Sequence, residues 1–261
     1  MQCVALRLPA GHLRVVIAAT ALCASLLSGC AAIPGKPDPH DPWERMNRAT
    51  YRFNDALDRA LVKPTAKAYK KVVPQPVRTG IANALSNAGY TTTIANDLLQ
   101  AKFKTCVSDT GRLLLNSTVG LGGIFDPATA AGLAKNDEDF GQTLGRWGMH
   151  PGPYLVLPLL GPSTLRDGVG LYPDARTDLK SLPKNVWVGV GLHGMAMLGK
   201  RVELLSTDEA IANAFDPYAF IRNAYLQHRE YEVRDGDVPE TPADEDSPDD
   251  SGTDSPPPSE P

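Results

Sequence analysis

What this 261-residue chain lacks narrows its class before any motif is read. It has no apolar run of the about 20 residues that a membrane-crossing helix needs, and even Val15–Leu27 stops well short. A spanning helix is therefore not its organising element. Cysteine is scarce: of four, Cys3, Cys23 and Cys30 lie at the amino end, which leaves Cys106 alone in the body. A lone thiol closes no internal disulfide, and nothing near it in sequence would lower its pKa for catalysis. His40, His150, His193 and His228 fall into no metal-ligand spacing, so no metal is expected. There is no basic helix and no aromatic–basic stripe, which argues against nucleic acid.

Enzyme signatures are equally thin. Ser163 lies in Gly161-Pro162-Ser163-Thr164-Leu165, which lacks the second glycine of a nucleophile elbow. Asp137, Glu138 and Asp139 fall at one helix start, where they answer the helix dipole. Gly189-Val190-Gly191-Leu192-His193-Gly194 fits the dinucleotide fingerprint, but no strand–helix–strand alternation surrounds it. Small residues there suit close helix packing instead. No catalytic constellation assembles, and no cofactor is expected.

The ends of the chain are informative. Arg7 and Arg14 precede the short apolar stretch Val15–Leu27, the layout of a secretion signal over residues 1–29. Leu27-Ser28-Gly29-Cys30 resembles the lipobox of bacterial lipoproteins, which implies acylation of Cys30. Acyl chains anchor firmly because each buried CH₂ contributes about 0.8 kcal/mol. Ala31 after the cysteine implies delivery to the outer membrane, facing the periplasm. Residues 30–40, rich in proline, read as a lipidated tether.

At the other end, residues 235–261 hold ten acids and no lysine, arginine or aromatic, the composition of a disordered acidic tail. The whole chain carries 26 basic and 30 acidic side chains. With that tail and the two signal arginines set aside, the body is mildly basic, which suits anionic headgroups.

The body, residues 41–234, reads as mostly helical. Asp41-Pro42 with Glu44 has the form of an N-cap and capping box, and Trp43, Met46, Phe53, Leu57 and Leu61 recur at helical spacing. Lys63-Pro64 is expected to end that helix. The same Asp-Pro start returns at Asp126-Pro127 and Asp216-Pro217. Further helices are expected at about 65–72, 76–88, 91–101, 105–118, 127–134 and 138–147. Trp187–Leu205 reads as a long apolar helix, Ser206 and Glu209 as a second capping box, and Pro217–Val233 as the closing helix. Between them runs a stretch rich in glycine and proline, Phe140–Gly170. Its middle, Tyr154–Gly161, is almost wholly apolar, yet Pro153, Pro158 and Pro162 forbid a continuous helix. It fits either a buried irregular loop or a lipid- or protein-facing segment.

These pieces, taken in order, resemble the MlaA (VacJ) family of outer-membrane lipoproteins. The resemblance is carried by Asp41-Pro42-Trp43-Glu44, Met46-Asn47-Arg48, Tyr51 and Phe53-Asn54. It continues through Val73–Arg78, Leu115-Asn116-Ser117 with Gly120–Gly123, and Phe140–Gly145. Gly152-Pro153-Tyr154, Leu157-Pro158, Thr164–Asp167 and Asp216-Pro217-Tyr218 to Tyr225 complete it. The spacing from Asp167 to Tyr172-Pro173 is shorter than in the better-known members.

The resemblance implies an all-α, ring-like bundle of amphipathic helices embedded in one leaflet, with an amphipathic channel. It implies a non-enzymatic role in which misplaced phospholipids leave the outer leaflet and pass to a periplasmic lipid carrier of the Mla system. Partners would be phospholipids, the outer membrane, that carrier and a trimeric outer-membrane porin. Asn47, Phe53 and Asn54 fall in a region linked to gating. Phe140, Trp147, Tyr154, Leu155, Leu157, Leu159, Leu160 and Trp187 are expected to touch lipid or line the passage. Arg146, Arg166 and Lys200 are expected to meet phosphate headgroups. A scaffolding lipoprotein without a channel is the competing reading.

Overall fold

The computed structural model describes residues 38–237. The signal segment, Cys30, most of the tether and the tail beyond Asp237 lie outside the described residues. Helix α1 (Glu44–Leu57) runs through a π-helical turn, Asp58–Val62, into α2 (Lys63–Val72). Lys63-Pro64 thus does not end the first helix. The π turn shifts the hydrogen-bond register just ahead of a residue that cannot donate, and Pro64 falls in the first turn of α2, where no donor is missed. Helix α3 (Gln75–Leu99) is continuous for 25 residues where two helices were expected. An interior glycine costs only about 1 kcal/mol, too little for Gly89 to break a helix packed along its length on α4 (Phe103–Thr118).

The chain then forms α5 (Pro127–Ala130) and α6 (Phe140–Arg146), followed by a hairpin. Strands β1 (Tyr154–Leu157) and β2 (Gly161–Thr164) pair antiparallel, Tyr154 opposite Thr164 and Leu157 opposite Gly161. So the apolar middle of the Gly/Pro stretch is neither helix nor irregular loop; Val156 stands opposite Pro162, which has no N–H to offer. Helix α7 (Leu165–Thr177) follows with Pro173 inside it. Then come a 3₁₀ turn (Leu179–Ser181), α8 (Val186–Glu203), a second 3₁₀ turn (Leu204–Ser206), α9 (Asp208–Asn213) and α10 (Pro217–Val233). The all-α class holds, with one small hairpin.

The helix caps separate the Asp-Pro starts. Asp126 accepts from Thr129 N, and Asp216 accepts from Tyr218 N and Ala219 N, as expected. Asp41 does not cap. Helix α1 begins behind Trp43, Glu44 bonds Arg48 at 2.7 Å, and the Asp41 carboxylate is pulled into the interior. Nor does Ser206 cap α9, whose N-terminus carries no side-chain cap.

The interior is unusual in kind. Its apolar cluster is only Tyr154, Val156 and Tyr218, with Tyr51, Tyr225 and Leu226 packed around them. Most of the largest fully buried side chains are polar: Arg112, Asn47, Asn96, Thr143, Thr164, Asp41, Asp97 and Asp109. The apolar residues face outward, among them Phe103, Val107, Leu114, Val119, Phe125, Val186, Trp187 and Val190. No described helix is long and apolar enough to cross a membrane.

Candidate functional site

Three assemblies meet in this inverted interior. The first joins α1 to the hairpin. Asn47 and Asn54, two helical turns apart, present side-chain amides on one face of α1. Asn47 donates from Nδ2 to Tyr154 O at 2.9 Å and accepts from Val156 N at 2.9 Å. Asn54 repeats the pattern, donating to Leu157 O and accepting from Leu159 N, both at 2.9 Å. His40 O takes the Tyr154 N–H at 2.8 Å. Side chains thus stand in for a third strand along the free edge of β1. Leu159 sits in the left-handed region at φ 68°, a costly conformation for a branched residue, and its N–H is held by Asn54. Behind the clasp, Asp41 accepts from Asn47 at 2.7 Å, from Arg222 at 3.2 Å and from the Tyr218 hydroxyl.

The second assembly is a knot of charges under α6, α7 and α10. Tyr218, Arg222, Tyr225 and Arg229 fall four, three and four residues apart, so α10 offers one stripe to the interior. Arg229 donates to Asp139 at 2.7 and 2.8 Å and to Asp167 at 3.0 Å. Asp167 also accepts from Thr164, from Arg166 at 3.0 Å and from the Tyr225 hydroxyl at 2.8 Å. Burial pushes the Asp167 carboxyl up, but the bonds from Arg229 and Thr164 and the charge of Arg166 outweigh it and hold it at about 2. Gly141 permits the close approach: a Cβ there would stand 2.5 Å from Asp167 and 2.7 Å from Arg229.

The third is a cavity of about 580 Å³ between α2, α3, the Lys135–Asp137 segment and α8. Ile81, Leu85, Met195, Met197 and Val202 give it an apolar wall, and Arg78, Lys135, Lys180 and Lys200 give it cations. Lys180 is tied to Asp178 at 3.0 Å. Arg78, Lys135 and Lys200 have no carboxylate partner among the described residues. A larger cleft of about 740 Å³ lies beside α10, but its arginines are spent. Arg146 pairs with Asp235 at 2.6 Å, Arg166 with Asp167 and Arg234 with Glu230 at 2.9 Å.

The structure brings Asn47, Asn54, Tyr154, Leu155, Leu157 and Leu159 together around the hairpin. Tyr154 is buried and Leu155 and Leu157 half-buried, while Phe53, Leu159 and Leu160 are exposed. Phe140 and Trp147 form a separate edge-to-face pair at 6.0 Å, with Trp147 Nε1 donating to Leu99 O. Trp187 stands alone on α8, 79% exposed. Of the three expected headgroup cations, only Lys200 lines the cavity; Arg166 is buried in the knot and Arg146 is engaged by Asp235. Arg78 and Lys135 were not foreseen, because nothing local in sequence says that they share a wall. Ser163 is buried and its hydroxyl donates to Thr164 O. Cys106 is buried as well.

Polar side chains inside, apolar side chains outside and an amphipathic cavity define a class: an all-α protein with an apolar exterior and no described helix long and apolar enough to cross a membrane. The comparisons narrow it. The MlaA lipoprotein family model matches residues 39–232, and the chain belongs to that family. The intermembrane phospholipid transport system lipoprotein MlaA of Shigella flexneri is 34% identical over 87% of this chain and 92% of its own length. Its counterpart in Escherichia coli K12 is 33% identical over the same shares. A solved structure described as "Structural basis for maintenance of bacterial outer membrane lipid asymmetry" superposes with a TM-score of 0.68 at 34% identity, covering 74% of this chain and 98% of that one.

Proposed function

We propose that this protein is a lipid-anchored, non-enzymatic component of intermembrane phospholipid transport. It sits in the periplasmic leaflet of the outer membrane and is acylated at Cys30. Phospholipids misplaced in the outer leaflet enter the cavity between α3 and α8 and pass to a periplasmic carrier, with a trimeric porin as the neighbour in the membrane. The observation that carries this reading is the cavity wall. It sets Arg78, Lys135 and Lys200, which have no carboxylate partner among the described residues, beside Ile81, Leu85 and Met197, which matches an anionic phosphate attached to acyl chains. The apolar exterior supports it, because a surface of this kind is stable only against lipid or protein. Asn47 and Asn54, with Phe53 exposed beside them on α1, form a clasp whose hold on the hairpin sets how open the passage is. Phe140, Trp147, Leu159, Leu160 and Trp187 touch lipid.

The test measures phospholipid in the outer leaflet of intact cells with the gene deleted, then restored. Gly199 lines the cavity, and a Cβ there meets nothing within 4 Å, so Gly199→Trp fills the space without a backbone clash. Wild-type protein should reverse the rise seen on deletion, and Gly199→Trp at equal level should not. Full rescue by the filled variant would refute a passage through this cavity.

A further inference from the structure

We propose that Asp97 and Asp109 form a buried acid pair holding one proton between them, a proton-binding site that fastens the Lys135–Asp137 cavity wall to α3 and α4. Asp97 on α3 and Asp109 on α4 are each 0% exposed. Neither oxygen of Asp97 has a hydrogen-bond partner among the described residues, and Asp109 faces it from α4, which packs along α3. Both oxygens of Asp109 accept from Asn136 Nδ2, each at 3.2 Å. One amide cannot satisfy two carboxylates, and a buried carboxylate with empty lone pairs is strongly disfavoured.

The cations that face the pair, Arg112 and Lys102, relieve it only in part. Arg112 on α4 is spent on the Tyr90 hydroxyl, Thr129, Leu133 O and Asp126. Lys102, ahead of α4, is spent on Glu138 and Asp235. Glu138, before α6, adds a further negative charge. A proton on Asp97 that donates to Asp109 supplies the missing donor and removes one charge. Burial, then the charge of Asp109, pushes Asp97 up to about 7, and burial pushes Asp109 up as well.

The consequence reaches the cavity, because Asn136, which holds Asp109, lies in its wall between Lys135 and Asp137. An acid whose folded pKa is raised contributes stability that is fully present below the ordinary value of 3.8 and is lost as pH rises through about 7. Around neutral pH this wall therefore loosens as pH rises. The inference does not depend on what the cavity carries.

Thermal unfolding of the full-length protein and of Asp97→Asn, from pH 5 to 8, tests it. The asparagine keeps a donor toward Asp109 and cannot titrate. The two proteins should melt closest together at pH 5, and the gap in favour of the variant should widen by several degrees by pH 8. A gap that does not change with pH would overturn the shared proton. So would wild-type stability that rises with added calcium or potassium and falls on chelation, since a cation would then hold the pair. Should the variant fail to fold, hydrogen exchange in the wild type still decides. Residues 133–138 should lose protection above pH 7 while α10 does not, and unchanged protection there would sink the proposal.

Discussion

Helices α8 and α10 are nearly equal in length, 18 and 17 residues, and opposite in what they bury. The apolar one, α8, has no buried residue, whereas the polar one, α10, buries Tyr218, Arg222 and Arg229. In water the placement would be reversed, because burying apolar area is the main driving force for folding and burying charge opposes it. The pair teaches that the usual placement of apolar and charged side chains is inverted in this fold. Stability in this fold rests on directional polar bonds inside, and apolar area is reserved for the surroundings. This separates two kinds of substitution: those that break the interior knot, and those that alter only what the exterior touches.

Arg229→Met should have the largest effect. It leaves Asp139 and Asp167 short of their shared cation, and breaking a buried pair typically costs about 3–5 kcal/mol. Denaturant unfolding measures it, and a loss under about 1 kcal/mol would reduce the knot to an ordinary surface ion pair. Asn47→Ala comes next. It frees Tyr154 O, Val156 N and Asp41 inside the fold, for about 2–3 kcal/mol at about 1 per orphaned group. Asp167 sharpens the contrast through pH. Its carboxyl is held at about 2, below the ordinary 3.8, so its contribution is present above about pH 4 and lost as pH falls through about 2. The stability gap between wild type and Asp167→Asn should therefore shrink between pH 5 and pH 2; a constant gap would show that the carboxylate is not held by its charge. The smallest effect on stability belongs to Trp187→Ser, within about 0.5 kcal/mol for an exposed position. Co-sedimentation with phospholipid vesicles should nonetheless fall, and unchanged vesicle binding would remove α8 from the lipid-facing surface.

Much of the helical outline was legible because its signals are local. Asp126-Pro127 and Asp216-Pro217 announce caps that form, and the apolar run after Asn185 announces α8. Asp41-Pro42 carries the same local signal and misleads, since Tyr218 and Arg222, far along the chain, compete for the carboxylate. Pro64 misled for a related reason, because a π turn outweighs a residue that discourages helices in isolation, and packing on α4 likewise carries α3 through the break expected between 88 and 91. Within the candidate site, Asn47, Asn54 and Lys200 could be singled out, but the shared wall of Arg78 and Lys135 could not. The spacing of Tyr218, Arg222, Tyr225 and Arg229 was available as a stripe, yet by composition it reads as a solvated face. Carboxylates distant in sequence, Asp41, Asp139 and Asp167, turn it inward.

The amides of Asn47 and Asn54 have one more consequence. A short two-stranded ribbon ordinarily shows its neighbours a row of open backbone groups, an invitation for another chain to add a strand. Among crowded copies of the chain, such an invitation would be answered by self-association. Here His40, Asn47 and Asn54 occupy that row with side chains and a carbonyl that no incoming strand can extend. The hairpin is thereby closed to recruitment by an added strand.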